Sequence, residues 1–189
     1  MRIIAGAFRG RSIKTMTGPG YRPSMGKVRE SVFSMLEAQG IDWTQTRVAD
    51  IFAGSGALGI EALSRGALSV VFFEKAPQAV TILRENIQSL GVSSSYWSLL
   101  KGNALRLLHD APDFSWDLVF IDPPYGEDLF LPALKLLVEK DQLAPKGLIC
   151  VEVEANFILP KVVSSQLTLL RDRIYGQTRI YLWQKNSSE

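Results

Sequence analysis

At 189 residues and 47% hydrophobic content, the chain is long enough for one globular domain with a sizeable buried core. A single cysteine, Cys150, excludes an internal disulfide, and a single histidine, His109, leaves no ligand set for zinc or an iron–sulfur cluster, so no metal is expected. The formal charge of +2 conceals a polarised chain: residues 1–29 hold Arg2, Arg9, Arg11, Lys14, Arg22, Lys27 and Arg29 and no acid, leaving fourteen basic against nineteen acidic side chains from Glu30 onward. A basic arm on an acidic body fits a polyanionic partner, because clustered cations gain free energy by releasing phosphate counterions. A merely solvated segment is the alternative. The first ten residues lack the apolar core of a signal peptide, and no stretch approaches the roughly 18 apolar residues of a membrane span. A soluble, cytoplasmic protein without a membrane partner is expected.

In chain order, Arg2 to Phe8 and Arg11 to Lys14 alternate weakly around Gly10 and predict a small hairpin, so residues 1–23 read as a basic arm on one domain spanning 1–189. A loop, Thr17-Gly18-Pro19-Gly20, follows. Val28, Val32, Phe33, Met35 and Leu36 then recur at helical spacing, with Ser24 placed to cap the helix and Gly40 to end it. Apolar runs at Arg47 to Phe52, Ser69 to Phe73, Leu118 to Ile121 and Leu148 to Val153 predict buried strands, with a weaker one near Tyr96 to Leu100. Helical stretches at Leu58 to Arg65, Ala76 to Leu90 and Leu129 to Val138 separate them. This alternation predicts an α/β, doubly wound, mainly parallel sheet with helices on both faces. Leu167 to Tyr175 and Thr178 to Trp183, joined at Gly176, predict an antiparallel pair at one edge.

Asp50-Ile51-Phe52-Ala53-Gly54-Ser55-Gly56-Ala57-Leu58-Gly59 is a strand end, a glycine-rich turn and a helix start, matching G-x-G-x-x-G. The glycines permit a tight turn and close approach to a ligand, and the helix start offers free N–H groups to an anionic group. Glu74 ends the next strand, where a carboxylate can accept both ribose hydroxyls. Either a dinucleotide or S-adenosylmethionine satisfies these features. Asp50 favours S-adenosylmethionine, since a carboxylate there repels a pyrophosphate and attracts the cationic methionine end.

Asp122-Pro123-Pro124-Tyr125 follows a buried strand, at the edge where open α/β sheets bind ligands. The prolines hold Asp122 and Pro123 with little conformational freedom. An exocyclic base amine is a poor nucleophile until two acceptors hold its N–H groups, and the Asp122 carboxylate with the Pro123 carbonyl supplies that pair. Charge grows on nitrogen during methyl transfer, so the carboxylate stabilises the transition state more than the ground state. Asp122 at its ordinary pKa, or water, suffices to take the proton. Tyr125 offers a ring for the base to stack on.

These residues resemble the class I S-adenosylmethionine-dependent amino-methyltransferases. More closely the chain is similar to the RsmD-type bacterial 16S ribosomal RNA guanine-N2 methyltransferases, through Arg2-Ile3-Ile4-Ala5-Gly6, Gly10-Arg11, Arg22-Pro23, Val28-Arg29-Glu30, Phe33, the stretch from Asp50 to Ala67, and Asp122 to Tyr125. The resemblance implies a Rossmann-like sheet of seven strands and methyl transfer to a guanine of small-subunit RNA, as naked 16S RNA or an assembly particle. It implies cofactor contacts from Asp50, Phe52, Gly54, Ser55, Gly56, Glu74, the Asn103-Ala104 step and the bordering Arg22-Pro23. It also assigns RNA contact to the basic arm, through Arg2, Arg9, Arg11, Lys14, Lys27 and Arg29. Ser24 stands where family members often have Thr and keeps the hydroxyl. The tetrapeptide does not separate guanine from adenine, so an N6-adenine methyltransferase is an alternative. A nicotinamide-binding oxidoreductase and a non-catalytic RNA-binding assembly factor are alternatives of other classes. Cys150, within Leu148 to Val151, reads as a core thiol, and His109 as a residue favoured at a helix end. Trp43, Trp97, Trp116 and Trp183 read as packing residues.

Overall fold

The computed structural model describes residues 1–16, 26–111, 114–124, 126–160 and 163–187. Helix α1 (Gly26–Glu37) precedes β1 (Arg47–Ile51), α2 (Ala57–Arg65), β2 (Ser69–Glu74), α3 (Pro77–Leu90) and β3 (Trp97–Lys101). The second half runs α4 (Ala104–Asp110), β4 (Trp116–Ile121), α5 (Phe130–Glu139), β5 (Leu143–Glu154), β6 (Leu167–Tyr175) and β7 (Thr178–Lys185). The strands form one seven-stranded sheet in the order β3-β2-β1-β4-β5-β7-β6. Pairing is parallel from β3 through β5 and antiparallel for β5–β7 and β6–β7. No helix among the described residues is long and apolar enough to cross a membrane.

Alternation along the strands sorts the apolar side chains into two cores, because successive residues point to opposite faces. Val48, Val70, Phe72, Leu118, Phe120, Leu148 and Cys150 pack under α1, α2 and α3, and Ala49, Ile51, Phe73, Val119, Ile121, Ile149 and Val151 pack under α4 and α5. Phe33 of α1 is fully buried with its ring 5.7 Å from Phe120 and 5.5 Å from Trp43. Truncating it would cost about 3–5 kcal/mol in transfer and cavity terms.

The hairpin predicted at residues 2–14 is present: Arg2 and Ser12 form an antiparallel bridge, the Ile3 N–H donates to the Arg11 carbonyl at 3.0 Å, the Gly10 N–H to the Ile3 carbonyl at 2.9 Å and the Ile13 N–H to the Met1 carbonyl at 2.8 Å. Further bonds fasten the segment to α2 and α3. One expectation is modified. β5 begins at Leu143 rather than Leu148. Its register against β4 shifts between Trp116 and Leu118, with Lys146 at φ 61° and Gly147 so tightly placed that an added Cβ would lie 2.9 Å from the Trp116 carbonyl oxygen. Such an irregularity interrupts the apolar run that marks a strand in sequence. The proposed cap, Ser24, lies outside the described residues.

Candidate active site at the strand ends

The chain moves outward from β1 through β2 to β3, then returns to place β4 on the other side of β1. The reversal between β1 and β4 leaves a crevice at their carboxyl ends, the usual ligand position in an open α/β sheet. Asp50 is in register with Phe72 and Phe120, Ile121 with Val151, and Phe120 with Cys150. Alternation therefore puts Asp50, Glu74, Asp122 and Glu152 on one face, at the ends of four adjacent strands. The backbone N–H of Asp122 still donates to the Ile51 carbonyl at 3.4 Å, so this row continues the ladder past β4.

Asp50 is 2% exposed and accepts a hydrogen bond from the Gly59 backbone N–H at 2.9 Å. Burial pushes its carboxyl up to about 7; the Gly59 bond opposes that rise and the nearby Glu74 adds to it. Burial, then the neighbouring Glu152 and Asp50 carboxyls, raises Asp122 well above the usual carboxylate range. The sequence expectation of an ordinary pKa at Asp122 is thereby modified, since register places two acids beside it. Glu74 accepts from Gly54 N–H at 2.7 Å and from Ala76 N–H at 2.7 Å, which fixes its orientation and leaves lone pairs for ribose hydroxyls. Among the described residues, no Lys, Arg or His lies within ion-pair distance of Asp50, Glu74 or Asp122. Nor, among those residues, is any group of three or more His, Cys, Asp or Glu arranged to hold a metal ion.

The three glycines of the turn act differently. Gly54 (φ +55°) has open space where a Cβ would stand, next to the Glu74 carboxylate that its N–H bonds. At Gly56 (φ +82°) a Cβ would press on Ile60 and Leu83, at 3.1 and 3.2 Å, and at Gly59 it would meet the Phe72 ring at 2.3 Å. The last glycine lets α2 lie close on the sheet. Phe52 takes a positive φ of 66°, a costly conformation for an aromatic residue, held where the chain leaves β1. Ser55 accepts a bond from the Asn86 side-chain amide through its carbonyl at 3.0 Å, tying the turn to α3. These features fit a cofactor with a ribose and a cationic end. Asn103 caps α4 by accepting from Arg106 N–H at 3.1 Å, and Ala104 beside it is buried.

Pro123 is buried and Pro124 exposed, just past the end of β4. Arg22, Pro23 and Tyr125 lie outside the described residues. Cys150 is a buried thiol whose pKa is raised by burial, consistent with a core position. His109, in the last turn of α4, is exposed and pairs with Asp110 at 2.9 Å.

The arm's cations divide. Arg29 is 2% exposed, faces Glu61 at 3.8 Å and donates to the Arg2 carbonyl at 2.5 Å, so it is buried away from any surface ligand. Its assignment to an RNA surface is corrected accordingly. Arg11 donates to the Leu90 and Ser89 carbonyls at the end of α3, and Lys14 pairs with Glu85 at 2.8 Å. Arg2, Arg9 and Lys27 have exposed side chains. Sequence reasoning singled out neither Glu152 nor Glu61. The signal for each was an acid inside an apolar stretch, Val151-Glu152-Val153 and Ile60-Glu61-Ala62.

Comparison with known proteins adds to this geometry. Residues 1–184 match the family model described as conserved hypothetical protein 95. The chain is 35% identical over 187 residues to "Putative rRNA methyltransferase YlbH" of Bacillus subtilis, covering 98% of this chain and 99% of that one. It is 36% identical over 187 residues to "Ribosomal RNA small subunit methyltransferase D" of Haemophilus influenzae, with 97% and 93% covered. Among solved structures, "Putative methyltransferase yhhF from Escherichia coli" superposes with a TM-score of 0.84 at 33% identity, covering 100% of this chain and 99% of that one.

Proposed function

The chain belongs to the conserved hypothetical protein 95 family, the RsmD family of methyltransferases, and from that premise we propose that it methylates the exocyclic N2 amine of a guanine in small-subunit ribosomal RNA. S-adenosylmethionine, when bound, supplies an electrophilic methyl group on a sulfonium. What carries the reading is the placement of Asp122, which directly follows β4 on the same face as Asp50 of the neighbouring strand, two residues beyond the Asp50–Phe120 register pair. Glu74 holds the ribose hydroxyls, and Asp50 attracts the cationic methionine end. Asp122 and the Pro123 carbonyl would accept the two amine hydrogens, leaving the nitrogen lone pair available to take the methyl group. Tyr125 stacks on the base. Positive charge brought into this row favours ionised Asp122, and a carboxyl with a raised pKa is a better acceptor for the proton that the methylated amine releases. Alignment and electrostatics then carry most of the rate.

The test uses labelled S-adenosylmethionine with undermethylated small-subunit RNA or particles, followed by mass spectrometry of the nucleosides. N2-methylguanosine is expected. Methyladenosine would overturn the guanine assignment, and nicotinamide binding without S-adenosylmethionine binding would overturn the reaction class. Asp122→Ala is expected to lower transfer by on the order of 10³-fold or more while leaving RNA binding intact, an outcome that a non-catalytic assembly factor would not show.

A further inference from the structure

The β6–β7 pair sits at the sheet edge, three strands from β4. Its register connects it to the reacting row: Glu152 is in register with Ile180, and Ile180 with Arg173. Ile121 is in register with Val151, so Asp122 and Glu152 occupy the next rung and Arg173 belongs to the row of Asp122. Three strand spacings separate them, roughly 14 Å. Arg171 stands opposite Leu182, one alternation away, on the same face.

Charge on this pair is sorted by face. Asp172, the sole acid of β6 and β7, points to the opposite face and is held by Arg179 through two bonds of 2.7 and 2.8 Å. Arg171 and Arg173 are exposed, and among the described residues each donates to a carbonyl of its own strand, Arg171 to Leu170 at 2.7 Å and Arg173 to Asp172 at 3.0 Å. The arm's exposed cations Arg2 and Arg9 are less well placed. Its tip is anchored by Ala7 and Phe8 N–H groups to Ser64, in the last turn of α2. That turn lies about a helix length, ~12 Å, from the strand ends.

Resting on the RNA reading above, we propose that Arg171 and Arg173 form a phosphate-binding row. It would hold the RNA backbone on the flank of the reacting site opposite the arm. Two guanidiniums at i, i+2 on an extended strand lie about 7 Å apart, able to engage separate phosphates through their planar donor forks. Such contacts position the substrate and carry no base information.

The experiment compares wild type with Arg171→Ala/Arg173→Ala, both as the full chain, in RNA methylation across a salt series. Each lost phosphate contact should flatten the log–log salt slope by about 0.7–0.9, and KM for RNA should rise on the order of tenfold at moderate salt. S-adenosylmethionine affinity and the thermal midpoint should be unchanged, which separates lost RNA contact from misfolding. An unchanged slope and KM, with the wild type active on RNA, would sink this inference alone. A double variant that instead self-associates, with RNA parameters unchanged, would also overturn it, since the arginines would then serve only to keep the sheet edge unpaired. A wild type that transfers no methyl group to any RNA would overturn the underlying functional reading.

Discussion

The seam beneath the N-terminal arm and the row of strand ends beneath the glycine loop both bury carboxylates, and they compensate them in opposite ways. Glu61, 1% exposed, accepts from the Ile4 and Ala5 N–H groups at 2.8 and 3.0 Å, bonds Arg65 at 3.2 Å and faces Arg29. Its charge is answered from within the chain. Asp50 and Glu74 receive backbone N–H groups but no cation from the described residues, and Asp122 stands beside two further acids. A buried acid matched by its own protein is a fastener. One left with raised proton affinity in a crevice is built for a ligand that brings charge or donors.

The contrast breaks most visibly at Glu61. Glu61→Ala should destabilise by about 3–5 kcal/mol in urea unfolding, because it strands the buried Arg29 and two backbone donors. Glu61→Gln, which retains an acceptor, should cost less; equal small losses would show the seam to be unimportant. The strand-end row should respond to pH. Asp50 in the folded chain titrates near 7 against 3.8 for the free group, so the folded form holds more protons between those values and stability falls as pH rises across them. Ligand-free protein should therefore unfold at higher urea at pH 5.5 than at pH 8, and Asp50→Asn should flatten that difference. A flat wild-type profile would refute the raised pKa. Smaller again, Ser64→Ala removes the hydroxyl that accepts from Phe8 N–H and donates to the Ala5 carbonyl. It should cost about 1–2 kcal/mol. Smallest is the stability effect of Arg171→Ala/Arg173→Ala, within about 0.5 kcal/mol, because both side chains are exposed and among the described residues bond a carbonyl of their own strand.

What could be read in sequence was what is contiguous. The glycine turn and Asp122-Pro123-Pro124 each carry their geometry in a few adjacent residues, and both stand at the strand ends. The alternation of strands and helices was legible because buried parallel strands are apolar throughout. Register was not. Glu152 gains its meaning only when β5 is laid beside β4, and Arg173 only when β6 is laid beside β7. Arg29 counts as one more positive charge in the composition, but the Glu61 that receives it lies 32 positions on, in another helix. The arm's hairpin was legible because its pairing partners, Met1 with Ile13 and Ile3 with Arg11, lie within about a dozen residues of each other, whereas its docking on α2 and α3 was not.

The anchoring of the arm also bears on the order in which the chain can fold. Ile4 reaches Glu61 across 57 positions, Lys14 reaches Asn86 across 72, and Arg11 reaches Leu90 across 79. Closing loops of that length before the intervening β1-α2-β2-α3 unit has formed gains little against its entropy. The segment made before that unit is thus expected to dock after it. During synthesis its cations stay in solvent until residue 90 has emerged, and closure of the arm marks a late step in maturation of the domain.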